Sequence, residues 1–180
     1  MTIEHIYISP KHNYFGKPKD GPGTHPTLDV EQVELRAGLG LVGDRYYGVP
    51  AHYEAQVSFI SAEVFDALLA EFGRDDLEPV LTRRNIVTRG VALNALINQE
   101  FAIETPTGTV HFRGTKQCSP CGWIDAMLGK GAQTFLRGRG GLRARILNDG
   151  ILQRGPATLT TAQAYDEEAI LQPVARPRLP

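Results

Sequence analysis

The chain has 180 residues, 42% hydrophobic and 22% charged, with a formal net charge of −1 at pH 7. That length gives one domain a sizeable core and is short for two. No run of about 18 apolar residues exists, which excludes a membrane-spanning helix, and two cysteines three positions apart cannot staple distant parts of a secreted scaffold.

Met1 to Pro10 carries Glu4 and His5 and no basic stretch ahead of an apolar one. It does not read as a signal peptide, so a cytoplasmic location is expected. Thr2 to Ser9 predicts a mostly buried strand, and Lys11 to Thr27, with its glycines, prolines and lysines, an exposed loop. In Leu28 to Arg36, Val30, Val33 and Leu35 alternate with charged positions, the mark of a strand or hairpin. Gly38 to Gly48 is glycine-rich and contains Gly43-Asp44-Arg45. Gln56 to Ile60 is a short strand leading into the clearest helix, where Val64, Phe65, Leu68, Leu69 and Phe72 recur at helical spacing behind Ser61 as N-cap.

Ile86 to Val91 predicts a strand and Leu93 to Ile97 a short helical turn. Phe101–Ile103 and Thr109–Arg113 form a hairpin about Pro106-Thr107-Gly108. Cys121 to Leu128 reads as a helical turn. Leu142 to Leu147 alternates as a strand before Asn148-Asp149-Gly150, a strong tight-turn signal. Gly155 to Thr160 is a last strand, Thr161 to Ile170 a C-terminal helix, and residues 173–180 a proline-rich tail. Many short strands with few helices predict a β-rich α+β fold, a barrel with a few peripheral helices, in one domain over residues 1–172.

The near-neutral total hides an asymmetry. From Arg83 to Arg154 there are eleven Lys/Arg against four Asp/Glu, so folding is expected to gather positive charge on one face. Arg137, Arg139, Arg143 and Arg145 surround Gly138, Gly140 and Gly141, and glycines among arginines let backbone N–H groups and guanidinium forks approach an anion together. A nucleic-acid surface would interleave aromatics with these basic residues; this segment has none, so no nucleic-acid partner is expected.

Two segments carry the chemistry. Arg83-Arg84-Asn85 is a basic, amide-bearing turn feeding a β-branched run, suited to gripping an anion. Lys116-Gln117-Cys118-Ser119-Pro120-Cys121 holds both cysteines. The pair cannot close a zinc site without a second set of thiol or imidazole ligands, and the strand–helix context of a thioredoxin-type redox pair is missing. Two small buried residues, or one sulfur ligand or sulfur carrier, remain. A sulfur ligand near an anion clamp suggests a metal carried on a phosphorylated organic cofactor. Ser61, at a helix N-terminus, can serve as cap and phosphate contact together. His52, beside Tyr46, Tyr47 and Tyr53 with no second histidine at ligand spacing, reads as a surface or pocket-rim residue.

The order Gly-Asp-Arg (43–45), Gln-Val-Ser-Phe-Ile-Ser (56–61), Arg-Arg-Asn-Ile-Val-Thr-x-Gly (83–90), Cys-x-x-Cys (118–121) and Gly-Gly-Leu-Arg-Ala-Arg (140–145) resembles the MOSC domain, named for the C-terminal part of molybdenum cofactor sulfurases. The resemblance covers residues 16–161. It implies a β-barrel that binds a molybdopterin-type molybdenum cofactor, with a cysteine that ligates molybdenum or carries sulfur; the matching position is Cys121. It also places Ser61, Arg83 and Asn85 near the pterin or its phosphate, and charge adds Arg45, Arg84 and Lys116. Nothing in the chain fits the upstream pyridoxal-phosphate domain of a full sulfurase, the extra N-terminal barrel of amidoxime-reducing relatives, or the C-terminal helical extension of hydroxylaminopurine-detoxifying ones, so the resemblance is to a stand-alone domain. Two functions from different classes are implied. One is reduction of N-hydroxylated compounds with electrons from a separate reductase, since the chain has no iron–sulfur cysteine set and no dinucleotide fingerprint. The other is a carrier of sulfur or cofactor, in which Cys121 bears a persulfide received from a sulfur donor.

Overall fold

Alternating apolar and polar residues fix most of the strands, as a computed structural model describing residues 1–162 and 166–175 shows. In chain order the elements are β1 (Thr2–Ile8), β2 (Leu28–Asp29), β3 (Gln32–Arg36), β4 (Gly40–Leu41), β5 (Val57–Ser61), α1 (Ala62–Phe72), β6 (Ile86–Arg89), β7 (Glu100–Thr105), β8 (Gly108–Gln117), α2 (Gly122–Leu128), α3 (Ala132–Phe135), β9 (Leu142–Ile146), β10 (Gly150–Gln153), β11 (Gly155–Pro156) and β12 (Thr158–Thr161).

The main sheet runs β11-β1-β6-β5-β9-β8-β7-β12, with β2 paired to β1; a smaller sheet, β10-β3-β4, lies beside it. The two ends of the main path, β11 and β12, are separated in sequence by Ala157 alone. A sheet whose opposite edges are one residue apart must curl almost into a closed tube, so the β-rich, barrel-like architecture expected from the sequence is present. The interior is apolar: Phe59, Phe101 and Phe112 contact one another with ring centroids 5.3–6.0 Å apart, within a cluster that includes Ile3, Ile6, Ile86, Leu142 and Ala144.

A second apolar cluster positions the site. The buried stripe Val64, Phe65 and Leu68 of α1 packs against Ile124, Leu128, Ala132 and Leu136, which fastens α2 and α3 to the outside of the barrel. Helix α1 forms where its sequence predicts. Ser61 Oγ accepts the Val64 N–H, and Gly73 ends the helix in the left-handed conformation at φ 59°. No helix among the described residues is long and apolar enough to cross a membrane.

Three expectations need correction. Leu28 to Arg36 is neither one strand nor a hairpin: β2 pairs with β1, whereas β3 pairs with β10 and β4. Asn148-Asp149-Gly150 does not fold β10 back on β9. Asp149 instead accepts from the Ala37 N–H at 2.8 Å and Arg36 Nη1 at 2.8 Å, steering the chain to the smaller sheet. The C-terminal helix from Thr161 is absent where it can be judged. Thr161 ends β12 against Phe101, residues 163–165 lie outside the described residues, and Asp166 caps a 3-10 turn over Glu167–Leu171. Of the tail, residues 173–175 are described without regular structure and the remainder is outside the described range.

Candidate functional site

Strands β5 and β6 are parallel neighbours, so the chain must leave the sheet and return by a crossover. It goes out through α1 and comes back through a 3-10 turn at Pro79–Thr82. Arg83-Arg84-Asn85 is the re-entry point. Arg83 sits at φ 65°, a left-handed conformation that glycine would adopt without strain. An arginine there costs of order 1 kcal/mol, which the surrounding structure must offset.

Asn85 ties three segments together. Its Oδ1 accepts from Ser58 N at 3.1 Å and Ser58 Oγ at 2.8 Å, and its Nδ2 donates to Tyr7 O at 3.2 Å and Asp44 Oδ2 at 3.4 Å. Asp44 is itself buried and accepts from the N–H groups of Ser9 and Tyr46. The Gly43-Asp44-Arg45 segment is thereby pinned beside the re-entry turn, with Arg45 projecting into the space between them.

That space is a two-lobed cleft whose lobes share Arg45, Arg83, Arg84 and Asn85. One lobe, of about 530 Å³, is walled by Tyr46, His52, Ser58, Cys118 and Arg143; the other, of about 360 Å³, by Tyr7, Ser9, Lys11, Tyr14 and Val80. Cys121 is exposed at the N-terminal end of α2, and its Sγ lies 3.4 Å from Arg83 Nη1. The Arg83 guanidinium also lies over the Tyr14 ring, 4.1 Å from its centroid, and Tyr14 meets Trp123 of α2 edge-on at 5.3 Å. Arginine, aromatic rings and thiol are thus held in one array, but Cys121 stands beside the cleft and lines neither lobe; the cysteine in its wall is the buried Cys118.

The cleft has more donors than acceptors. Nε of Arg45, Nε of Arg83 and Nε2 of Gln56 are buried without a partner among the described residues. Nε of Arg139 and of Arg145, outside the cleft, are orphaned in the same way; buried donors normally find acceptors, which water or a ligand oxygen can supply. Two imidazoles flank the Tyr46 ring, His52 stacked at 3.7 Å and His12 edge-on at 5.9 Å. Burial, then Arg143 and Arg45, hold the His52 imidazole below its usual range, against a smaller opposing pull from Asp44. Burial, then Arg45 and Arg83, do the same to His12, whose Nδ1 accepts the Tyr14 N–H at 2.9 Å.

Several predicted residues lie elsewhere. Ser61 is 3% exposed and its hydroxyl is spent as the α1 cap and in a 2.6 Å bond to Glu63 Oε2. It borders a separate small cavity with Asn94 and Arg139. Lys116 is exposed on β8 opposite Arg143 and does not line the cleft, though its charge reaches His52. Arg84 donates Nε to Gly140 O at 2.9 Å and Nη1 to Thr82 O at 3.0 Å, so much of its fork braces the turn. The expected convergence of Arg137 to Arg145 fails apart from Arg143: Arg139 lies over Phe135, and Arg145 is taken up by Tyr53 and Glu54. The glycines there serve packing, since a Cβ on Gly141 would stand 2.0 Å from Phe59 O and one on Gly140 2.3 Å from Cys118 O. Sequence reasoning missed His12, Tyr14 and Tyr46, whereas Arg143 belongs to the arginine cluster it had singled out. The signal for the first two was aromatic residues in a loop otherwise made of glycine, proline and lysine.

Among the described residues no group of three or more His, Cys, Asp or Glu side chains could hold a metal ion. The chain can therefore offer one sulfur, from Cys121, to a metal whose other ligands arrive with it, and the orphaned donors of the cleft fit the anionic carrier such a metal would need.

A family model described as the MOSC domain matches residues 32–157. Among solved structures, the YuaD protein from Bacillus subtilis superposes with a TM-score of 0.70 at 17% identity, covering 91% of this chain and 98% of that one. YiiM from Geobacillus stearothermophilus gives 0.63 at 14% identity, over 90% of this chain and 75% of that one. YiiM from Escherichia coli gives 0.60 at 16%, over 94% and 76%. At these identities the likeness is one of fold. No curated protein matches the chain.

Proposed function

The chain belongs to the MOSC domain family, generally associated with molybdenum cofactor binding, and on that premise we propose that the cleft at Arg83, with Cys121 beside it, binds a molybdopterin-type cofactor and reduces N-hydroxylated compounds. The observation that carries the reading is the exposed Cys121 thiol 3.4 Å from an arginine whose Nε is buried without a partner. When bound, the cofactor supplies a metal able to exchange two electrons with the substrate, the electrons coming from a separate reductase.

This chain's residues bind and orient. Cys121 provides the single sulfur ligand. Arg83 and Arg45 neutralise the anionic carrier, and a bidentate guanidinium is not reproduced by an ammonium. Arg143 lines the same lobe. Asn85 acts through the scaffold, fixing Arg83 and Arg45 relative to Ser58 and Tyr7. Residues 1–172 act as one cytoplasmic domain in this reading.

The test is metal analysis of the purified protein. Stoichiometric molybdenum is expected, retained in Cys118→Ser and lost in Cys121→Ser; equal loss in both variants overturns the single-ligand role. The carrier reading is favoured by the openness of the Cys121 position, whose side chain makes no helix-capping bond. It predicts cyanide-labile sulfur on Cys121 without bound metal.

A further inference from the structure

The lobe that holds Tyr14 does not end at Arg83. Tyr7, Thr27 and Val80 line it and also line a third, open depression of about 800 Å³, whose remaining walls are His5, Asp29, Glu78 and Pro79. The two form one continuous groove with its charges segregated along its length. Arg45, Arg83, Arg84 and Lys11 stand at one end; Asp29 and Glu78 stand at the other.

The acidic end is not balanced by its surroundings. Arg154 is the guanidinium there, and it is shared between Asp29 at 3.5 Å and Glu31 at 3.3 Å. Asp29 is further fixed by His5 Nδ1 at 2.7 Å and the Ile6 N–H at 3.2 Å. Glu78 has neither ion pair nor hydrogen bond from its side chain among the described residues, and although it occupies an N-cap position its carboxylate does not cap the turn. At the depression two carboxylates, Asp29 and Glu78, thus stand beside one guanidinium that Glu31 also draws on. A second observation concerns Tyr7. It is 7% exposed, its ring stacks on His5 at 5.3 Å, and its hydroxyl has no hydrogen-bond partner among the described residues. The ring is covered while the hydroxyl, which is not among the buried unpartnered atoms, opens onto the depression that Tyr7 lines. Burial and then Asp29 and Glu78 push its ionisation far upward, so the hydroxyl stays protonated and faces a negative potential.

We propose that the depression between Tyr7, Asp29 and Glu78 is a subsite for a cationic nitrogen group, of the ammonium class, carried by a molecule whose other end reaches Arg83 and Cys121. Glu78 supplies the charge, the Tyr7 ring and Pro79 supply apolar walls, and the Tyr7 hydroxyl offers its oxygen to a donor N–H. The same field repels anions from this end, so a ligand with one electron-rich and one cationic terminus enters in one orientation. The identity of the far end rests on the reading of the cleft at Arg83, with Cys121 beside it, as the reactive site; the cation subsite does not.

The test is an amide-shift titration of the full chain with benzylammonium, with benzyl alcohol as the uncharged control and inorganic phosphate titrated separately. Benzylammonium should shift Tyr7, Thr27 and Val80, benzyl alcohol should not, and Glu78→Gln should weaken benzylammonium binding about three- to fivefold, the scale of one exposed ion pair. Tyr7→Phe, which removes only the hydroxyl, should weaken it as well. Phosphate should shift Arg45, Arg83 and Asn85 equally in wild type and Glu78→Gln. Unchanged benzylammonium affinity in Glu78→Gln, or shifts confined to other regions, overturns the subsite. Failure of phosphate alone overturns the anion cleft and leaves the subsite standing.

Discussion

Asn85 is the position at which binding and scaffold roles separate most cleanly. Asn85→Ala removes bonds of 3.1 and 2.8 Å to Ser58, 3.2 Å to Tyr7 O and 3.4 Å to Asp44. The last is long and counts for little. The other three join β5, β6 and β1, and at about 0.5–1.5 kcal/mol net for each the loss comes to roughly 2–3 kcal/mol. With a urea slope of about 2 kcal/mol per molar, the unfolding midpoint falls by about 1 M. Asn85→Asp keeps the acceptor bonds from Ser58 but gives up the donor to Tyr7 O and sets a second carboxylate against buried Asp44. It should destabilise at least as much as alanine at pH 7, then recover part of the difference as acid protonates the new carboxylate and relieves the repulsion. Urea melts at pH 7 and pH 5, beside phosphate binding at the cleft, read both quantities. If Asn85→Ala stayed within about 0.5 kcal/mol of wild type, the range of ordinary surface changes, while anion binding collapsed, the amide would be a ligand contact and the scaffold argument would fail.

Gly141→Ala should be severe. Its Cβ would stand 2.0 Å from Phe59 O at φ +101°, so overpacking and left-handed strain together cost about 3 kcal/mol or more, a fall of roughly 10 °C in Tm; a fall under about 3 °C would contradict the packing. The paired imidazoles set an acid limb of stability. Burial and then neighbouring arginines hold His12 and His52 below the unfolded value of 6.5, so as pH drops through 6.5 the unfolded chain takes up protons first and the fold loses stability. A His12→Gln/His52→Gln variant should flatten that limb in urea melts between pH 7 and 5, and an unaltered slope would refute it.

The sequence displayed what local patterning can carry. Helix α1 announced itself through Ser61 and its apolar stripe, and the β7–β8 hairpin through its turn residues. The Arg83-Arg84-Asn85 segment was conspicuous because three polar residues interrupt apolar runs. What it could not display was how each side chain is spent. Ser61 and Arg84 look like anion contacts until the cap on α1 and the carbonyls of Thr82 and Gly140 are seen to absorb them. Arg139 and Arg145 share a sequence cluster with Arg143, yet a turn sends Arg139 over Phe135, and Arg145, on the same face of β9 as Arg143, is taken up by Tyr53 and Glu54. Tyr14 reaches the cleft, and His12 the Tyr46 ring beside it, only because loop 11–27 is held by contacts such as Asn13 Nδ2 to His25 O at 2.6 Å and Tyr14 against Trp123; no periodicity encodes these.

The one-residue link at Ala157 has a consequence for how the protein is made. The Met1 ammonium donates to Ala157 O at 3.2 Å across a sequence separation of 156 residues, and β1 pairs there with β11. β1 therefore receives one of its neighbours from a segment about 150 residues further along the chain. At about 5–20 residues per second, that wait is roughly 10–30 s. During it, β1 can meet β6 but presents an unfilled edge on its other side, and nonlocal pairings of this kind are slow to form. The seam at Ala157 closes only when β11 arrives, and until then that stretch of the β1 edge stays open to other strands.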